Sequence, residues 1–132
     1  MMKYKSKYYN VKTKTTDGLI FDSHKEARRW EQLLLLQKAG EISSLRRQVR
    51  YELIPPQYET RIRYSDKTGK RLKDEVTLVE RKVEYIADFV YTEAKTGETV
   101  VEDVKSRGTR TPEFIIKKKL MFAVHGIKVK EV

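Results

Sequence analysis

The sequence of 132 residues contains no cysteine, only two histidines and only three prolines. Without cysteine, the chain has neither a disulfide framework nor a thiolate ligand for zinc. No apolar run approaches the roughly 18 residues of a membrane-spanning helix, and no apolar stretch follows the basic start as it would in a secretory signal. Glycine-rich phosphate loops and nucleophile elbows are also absent. The sequence therefore predicts a cytoplasmic protein with no membrane contact and no nucleotide cofactor.

Positive charge is abundant and unevenly distributed. Lysine and arginine number 29 against 19 acidic residues, which gives a net charge of +10. Residues 1–16 and 105–119 each carry a net +5, and the remainder of the chain sums to zero. Such clusters favour binding to a phosphate polymer, because neutralising each phosphate releases counterions. A solvent-exposed tail and a solvent-exposed helix face without any ligand would give the same charge pattern. The predicted nucleic-acid-binding residues are Lys3, Lys5, Lys7, Lys12, Lys14, Arg107, Arg110, Lys117, Lys118 and Lys119.

Turn residues and apolar spacing predict an α+β fold: a basic N-terminal arm over residues 1–16 and one domain over residues 17–132. The predicted order of the domain is helix, three strands, helix, strand, with a β-hairpin inserted among the strands. The helices are expected from the cap Ser23 to Gly40 and from the cap Thr111 to Gly126. The predicted strands cover 44–54, 58–64, 76–91, 99–105 and 127–132. In the strand 58–64 aromatic, aliphatic and threonine side chains alternate with charged ones, which predicts a half-exposed strand.

Apolar residues predict which helix faces are buried. Four consecutive leucines, residues 33–36, give the first helix a wide apolar arc, so we expect it to be substantially buried. The expected inner face of the second helix consists of Ile116, Leu120, Ala123 and Val124.

Charged residues interrupt two otherwise apolar strands. Asp88 is the only charged residue in the run 85–91, and a buried carboxylate needs a cation, a metal ion or a raised pKa. In the next strand, alternation places Asp103 and Lys105 on one face and Glu102 on the other. A hairpin joins the two strands, so Asp88 and Asp103 can be neighbours, and paired carboxylates commonly bind a hard cation such as Mg²⁺. The alternative interpretation is that Asp88, Asp103 and Lys105 form a structural cluster of ion pairs.

This set of residues is suited to phosphodiester hydrolysis. Mg²⁺ held by Asp88 and Asp103 would polarise the phosphate and lower the pKa of a bound water. Lys105 would orient that water or offset charge in the transition state. Glu26 would complete the metal shell or bind a second metal, although its position in a capping box explains it as well.

The same residues resemble a known nuclease superfamily. Glu26 on the first helix, Asp88 in the second core strand and Asp103-x-Lys105 in the third resemble the PD-(D/E)XK nucleases. That superfamily has a restriction-endonuclease-like core in the order helix, three strands, helix, strand. The proline that usually precedes the strand aspartate is Ala87 here.

More narrowly, residues 18–27, 85–89 and 102–105 resemble a small phage and prophage family of largely unassigned function. This resemblance implies a DNA endonuclease that depends on Mg²⁺ or Mn²⁺ and acts in a bacterial host cell. By analogy with small Holliday-junction resolvases, it implies a homodimer that cuts branched DNA. Gln48 and Glu102 are further candidate neighbours of the site.

Two other functions fit the same sequence. A non-catalytic nucleic-acid-binding module of phage replication or packaging would keep the fold and use the basic segments for phosphates. A basic protein-interaction component would have no salt-sensitive affinity for DNA. We favour catalysis, because unused carboxylates on apolar strands would only destabilise the fold.

Overall fold

A computed structural model of the protein describes residues 3–5, 11–106 and 108–132. Only the backbone is described for residues 3–5 and Val11. Among the predicted nucleic-acid-binding residues, those outside the described set are Lys7 and Arg107 entirely, and Lys3 and Lys5 in their side chains. No helix in the described part of the chain is long and apolar enough to cross a membrane.

Helices and strands are mixed along the chain, which confirms the predicted α+β class. The elements are β1 (Lys3–Lys5), β2 (Val11–Lys14), β3 (Ile20–Phe21), α1 (His24–Lys38), β4 (Ile42–Ile54), β5 (Gln57–Arg61), β6 (Glu75–Glu80), β7 (Val83–Glu93), β8 (Thr99–Asp103), α2 (Pro112–His125) and β9 (Lys130–Glu131).

A four-stranded sheet in the order β4-β7-β8-β9 organises the domain. The pairs β4/β7 and β7/β8 are antiparallel, whereas β9 runs parallel to β8. The chain must therefore cross over between β8 and β9, and α2 makes this crossover. The N-terminal strands form a separate antiparallel sheet in the order β1-β2-β3, whose last strand leads directly into α1.

Both helices begin and end with the predicted caps, because capping depends on a few neighbouring residues. Ser23 Oγ accepts a hydrogen bond from the backbone N–H of Glu26, and Thr111 caps α2 in the same way. The glycines that follow the helices, Gly40 and Gly126, have φ values of 79° and 69°, a left-handed backbone that glycine adopts without steric cost.

Only one stripe of α1 is buried against the sheet. The core beneath α1 consists of Phe21, Ala27, Trp30, Leu33, Ile42, Phe89 and Tyr91. The expected burial of the leucine block is wrong in part: Leu35 is 68% exposed, and Leu34 and Leu36 are half-buried. The helix covers one face of the sheet, and only residues three or four apart point towards it.

The other face of the sheet packs against α2. The core beneath α2 consists of Leu53, Tyr85, Ala87, Val90, Val101, Phe114, Met121 and Val129. The predicted inner face of α2 is wrong in part, because Leu120 packs against this core but Ile116, Ala123 and Val124 are exposed. The two buried residues of α2, Phe114 and Met121, lie two helical turns apart, a spacing that the adjacent apolar residues obscured.

The inserted hairpin, which we call the ribbon, comprises residues 57–80. Every residue of β5 and β6 is exposed, so the prediction of a half-exposed strand over 58–64 is wrong. The run predicted as one strand over 76–91 is divided after Glu80 into β6 and β7. The hydrophobic alternation of the ribbon does not reflect packing on this domain.

Candidate functional site

Asp88 and Asp103 lie at the end of the β7/β8 ladder. Phe89 pairs with Glu102 in antiparallel register, so Asp88 and Asp103 come next on the two strands. Asp88 Oδ2 accepts a hydrogen bond of 2.8 Å from the backbone N–H of Val104, which fixes the carboxylate at the point where β8 ends.

Asp103 and Lys105 form a tight contact on the α2 side of the sheet. Lys105 Nζ lies 2.8 Å from Asp103 Oδ1 and 3.5 Å from the centre of the Phe114 ring. Tyr85 donates a 2.6 Å hydrogen bond to Asp103 Oδ2, and burial, followed by this bond, raises the pKa of the phenol. Sequence reasoning missed Tyr85, although a tyrosine three residues before Asp88 in a buried strand is the signal that could have identified it.

Glu26 projects from the first turn of α1 into the same region. Its backbone N–H donates a hydrogen bond to Ser23 Oγ, the N-cap of the helix. No described residue donates a hydrogen bond to its carboxylate, so helix capping does not explain why a glutamate side chain stands at this position. Burial, and then the negative charges of Asp88 and Asp22, raise the pKa of Glu26 to about 8, although Arg47 opposes this shift.

Asp88 shares the electrostatic environment of Glu26. Burial, followed by the charge of Asp103, raises the pKa of Asp88 to about 6. The described residues contain no group of three or more His, Asp or Glu side chains arranged to hold a metal ion. The donor chemistry nevertheless fits a hard cation, because the Glu26 carboxylate has no described hydrogen-bond donor and lies beside a second acid.

Strained backbone coincides with this site. The β4/β7 ladder places Gln48 opposite Asp88, and Gln48 has a φ of 53°, a left-handed conformation that costs a non-glycine residue about 1 kcal/mol or more. At the same position the side chains of β7 switch from one core to the other: Ala87 belongs to the core beneath α2, whereas Phe89 belongs to the core beneath α1. Residues two apart in a regular strand would share a face. Gln48 is therefore a neighbour of the site through its backbone, opposite Asp88 on the adjacent strand.

Glu102 lies on the opposite face from Asp103, as alternation predicts. Its side chain is fully buried, and it accepts hydrogen bonds from Arg29 Nε at 2.8 Å and Arg29 Nη2 at 2.6 Å. Tyr91 also donates to Glu102. Glu102 therefore ties α1 to β8, and it is not a surface group.

The predicted nucleic-acid-binding residues differ in whether an acidic side chain already pairs with them. Lys12 and Lys14 are exposed on β2, alternating with the buried Thr13 and Thr15. Near α2, Arg110 and Lys118 both pair with Glu131, and Lys117 pairs with Glu113; Lys119 is exposed.

We expect the stability of the metal-free protein to fall as the pH rises from about 5 to 8. The folded pKa of Glu26 is raised from 4.5 to about 8, so between these values the folded state binds more protons than the unfolded state, and the free energy of unfolding decreases with pH. Asp88 acts in the same direction up to about pH 6. Urea unfolding of the wild type and of Glu26→Gln in EDTA measures this slope, which the variant should lose in large part. Parallel curves for the two proteins would contradict the prediction.

Comparison with known proteins identifies a family. The family described as a protein of unknown function, DUF1064, matches residues 5–131. No curated protein and no solved structure matches the chain. Because the match covers nearly its whole length, the chain belongs to the DUF1064 family.

Proposed function

We propose that this protein is a metal-dependent DNA endonuclease of the PD-(D/E)XK type. The observation that carries the proposal is the electrostatic coupling of Glu26 on α1 with Asp88 on β7 and with Asp103 at the end of β8, where Lys105 pairs with Asp103. The element order gives further support: α1, three antiparallel strands, α2 and a strand parallel to the third. The same order is expected of the restriction-endonuclease-like core that the sequence resembles, which supports the proposal.

Each residue has a role that follows from its contacts. Mg²⁺ or Mn²⁺, when held by Asp88, Asp103 and Glu26, would polarise the phosphate and lower the pKa of an attacking water. Lys105, held over the Phe114 ring beside Asp103, would offset the negative charge that develops on phosphorus in the transition state. In the metal-free protein the pKa of Glu26 is near 8, so binding of the cation at neutral pH would displace a proton from this carboxyl.

The substrate and setting follow from charge and analogy. The net charge of +10 favours a polyanion, and the exposed Lys12 and Lys14 extend the positive surface onto β2. We infer a homodimer that acts on branched DNA in the cytoplasm of a bacterial host, as small resolvases of the same superfamily do.

A cleavage panel tests the activity directly. Purified wild-type protein should cut DNA in Mg²⁺ or Mn²⁺ and should not cut it in EDTA. Linear duplex, single strand, flap and four-way junction are compared on denaturing gels, and the junction should be cut fastest. If no form of DNA is cut in either metal, the nuclease proposal is wrong.

A structural ion pair is the competing interpretation, and the contact between Asp103 and Lys105 favours it, because that aspartate already has a cation and a phenol as partners. In that case the protein is a non-catalytic nucleic-acid-binding module. It would bind DNA with strong salt dependence in the same panel, without metal-dependent cleavage.

A further inference from the structure

The ribbon is an arm that the other described elements do not cover. Its two strands are hydrogen-bonded to each other as a separate sheet, and all their residues are exposed. It begins where the β4/β7 pair ends, since Ile54 pairs with Val83 and Gln57 pairs with Glu80. An isolated two-stranded hairpin is only marginally stable in water. An arm of this kind is suited to contact with a partner outside the domain.

Positive charge is concentrated at the far end of the ribbon, residues 61–74, which we call the tip. The tip contains six basic and two acidic residues and has a net charge of +4. The basic residues are Arg61, Arg63, Lys67, Lys70, Arg71 and Lys73. One of the acids, Asp74, pairs with Arg71 at 3.3 Å, and Tyr64 is 60% exposed among the cations. Acids elsewhere in the chain balance this charge, so the sum over the residues outside 1–16 and 105–119 does not reveal it.

We propose that the tip binds the phosphate backbone of duplex DNA beside the cleavage site, an inference that rests on the proposed function for its ligand. A two-stranded ribbon has the width that the major groove admits, and its cations complement the phosphates on both sides. Residues 75–88 span at most about 45 Å when extended. The start of the tip at residue 74 therefore lies within about 45 Å of Asp88, a reach that includes the roughly 35 Å of one helical turn of the duplex.

A second copy of the chain is the other occupant to consider. One face of the ribbon carries Tyr58, Val76 and Leu78, which are 59%, 62% and 47% exposed. Charge favours DNA over this partner, because a second chain also carries +10 and would repel the tip.

The test compares two double variants that remove equal charge. Lys67→Ser/Lys70→Ser removes two exposed tip lysines; Lys38→Ser/Lys95→Ser removes two exposed lysines at the opposite end of the sheet. Binding to a fluorescent duplex is measured by anisotropy in EDTA over a series of salt concentrations. The tip variant should bind about tenfold more weakly at physiological salt, and the slope of log K against log salt should fall by about 2. The control variant should match the wild type.

The other possible results of this experiment separate the inference about the tip from the proposed nuclease activity. Equal losses in the two variants would show that only overall charge matters, and this would overturn the inference. A tip variant that binds DNA normally but sediments as a smaller species would assign the ribbon to a second copy and also overturn it. Cleavage by the wild type with normal binding by the tip variant would refute this inference alone. Weakened binding by the tip variant, with no cleavage by the wild type, would support it and refute the nuclease activity.

Discussion

Asp88→Asn should lower the rate of metal-dependent DNA cleavage by about 10³-fold, a loss typical of removing a group that stabilises the charge of a transition state. The fold should survive, because an asparagine oxygen can still accept the hydrogen bond from the Val104 N–H. The metal-free variant should even be more stable than the wild type above pH 6, since burial and Asp103 disfavour the ionised form of Asp88. Single-turnover cleavage and urea unfolding at pH 8 measure the two effects.

Asp22→Asn is the matched control, because Asp22 is an exposed acid near Glu26 and its substitution removes the same charge. This variant should keep activity within a few-fold of the wild type. Loss of activity together with loss of stability in Asp88→Asn would indicate a structural role, and full activity in Asp88→Asn would contradict the assignment of Asp88 to the metal site.

Arg29→Ala should lower the free energy of unfolding by about 3–5 kcal/mol, the cost of leaving a buried charge without its partner. The Glu102 side chain is fully buried, whereas Arg29 is 19% exposed and supplies both of its short charged hydrogen bonds. After the substitution only the Tyr91 hydroxyl would remain as a described side-chain donor to that carboxylate. Urea unfolding at pH 7 measures the change.

Arg28→Ala provides the comparison, because Arg28 is an exposed neighbour on the same helix. It should change the free energy of unfolding by about 0.5 kcal/mol or less. The double variant Arg29→Met/Glu102→Leu should recover much of the lost stability, since it removes both charges and keeps the volume. A loss below about 1 kcal/mol in Arg29→Ala would mean that water reaches Glu102.

The candidate site shows which contacts local sequence patterns can predict and which they cannot. Alternation placed Asp103 and Glu102 on opposite faces, and the hairpin brought Asp88 next to Asp103, because strand pleat and hairpin register are properties of a few adjacent residues. The pair between Arg29 and Glu102 joins residues 73 apart in the chain, and no local pattern marks it. The left-handed backbone at Gln48 has no sequence signature either, because glutamine is not one of the residue types that favour a positive φ.

The sequence by itself determined the element order, the helix caps and which acidic and basic residues are candidates for the site, because these depend on short-range propensity and chemical type. Only the tertiary structure decided which helix faces are buried, how Asp103 is shared between Lys105 and Tyr85, and that the ribbon stands uncovered with its charge at the tip. Burial and electrostatic coupling depend on the distances between residues far apart in the chain, and those distances exist only once the sheet and its two helices have packed together.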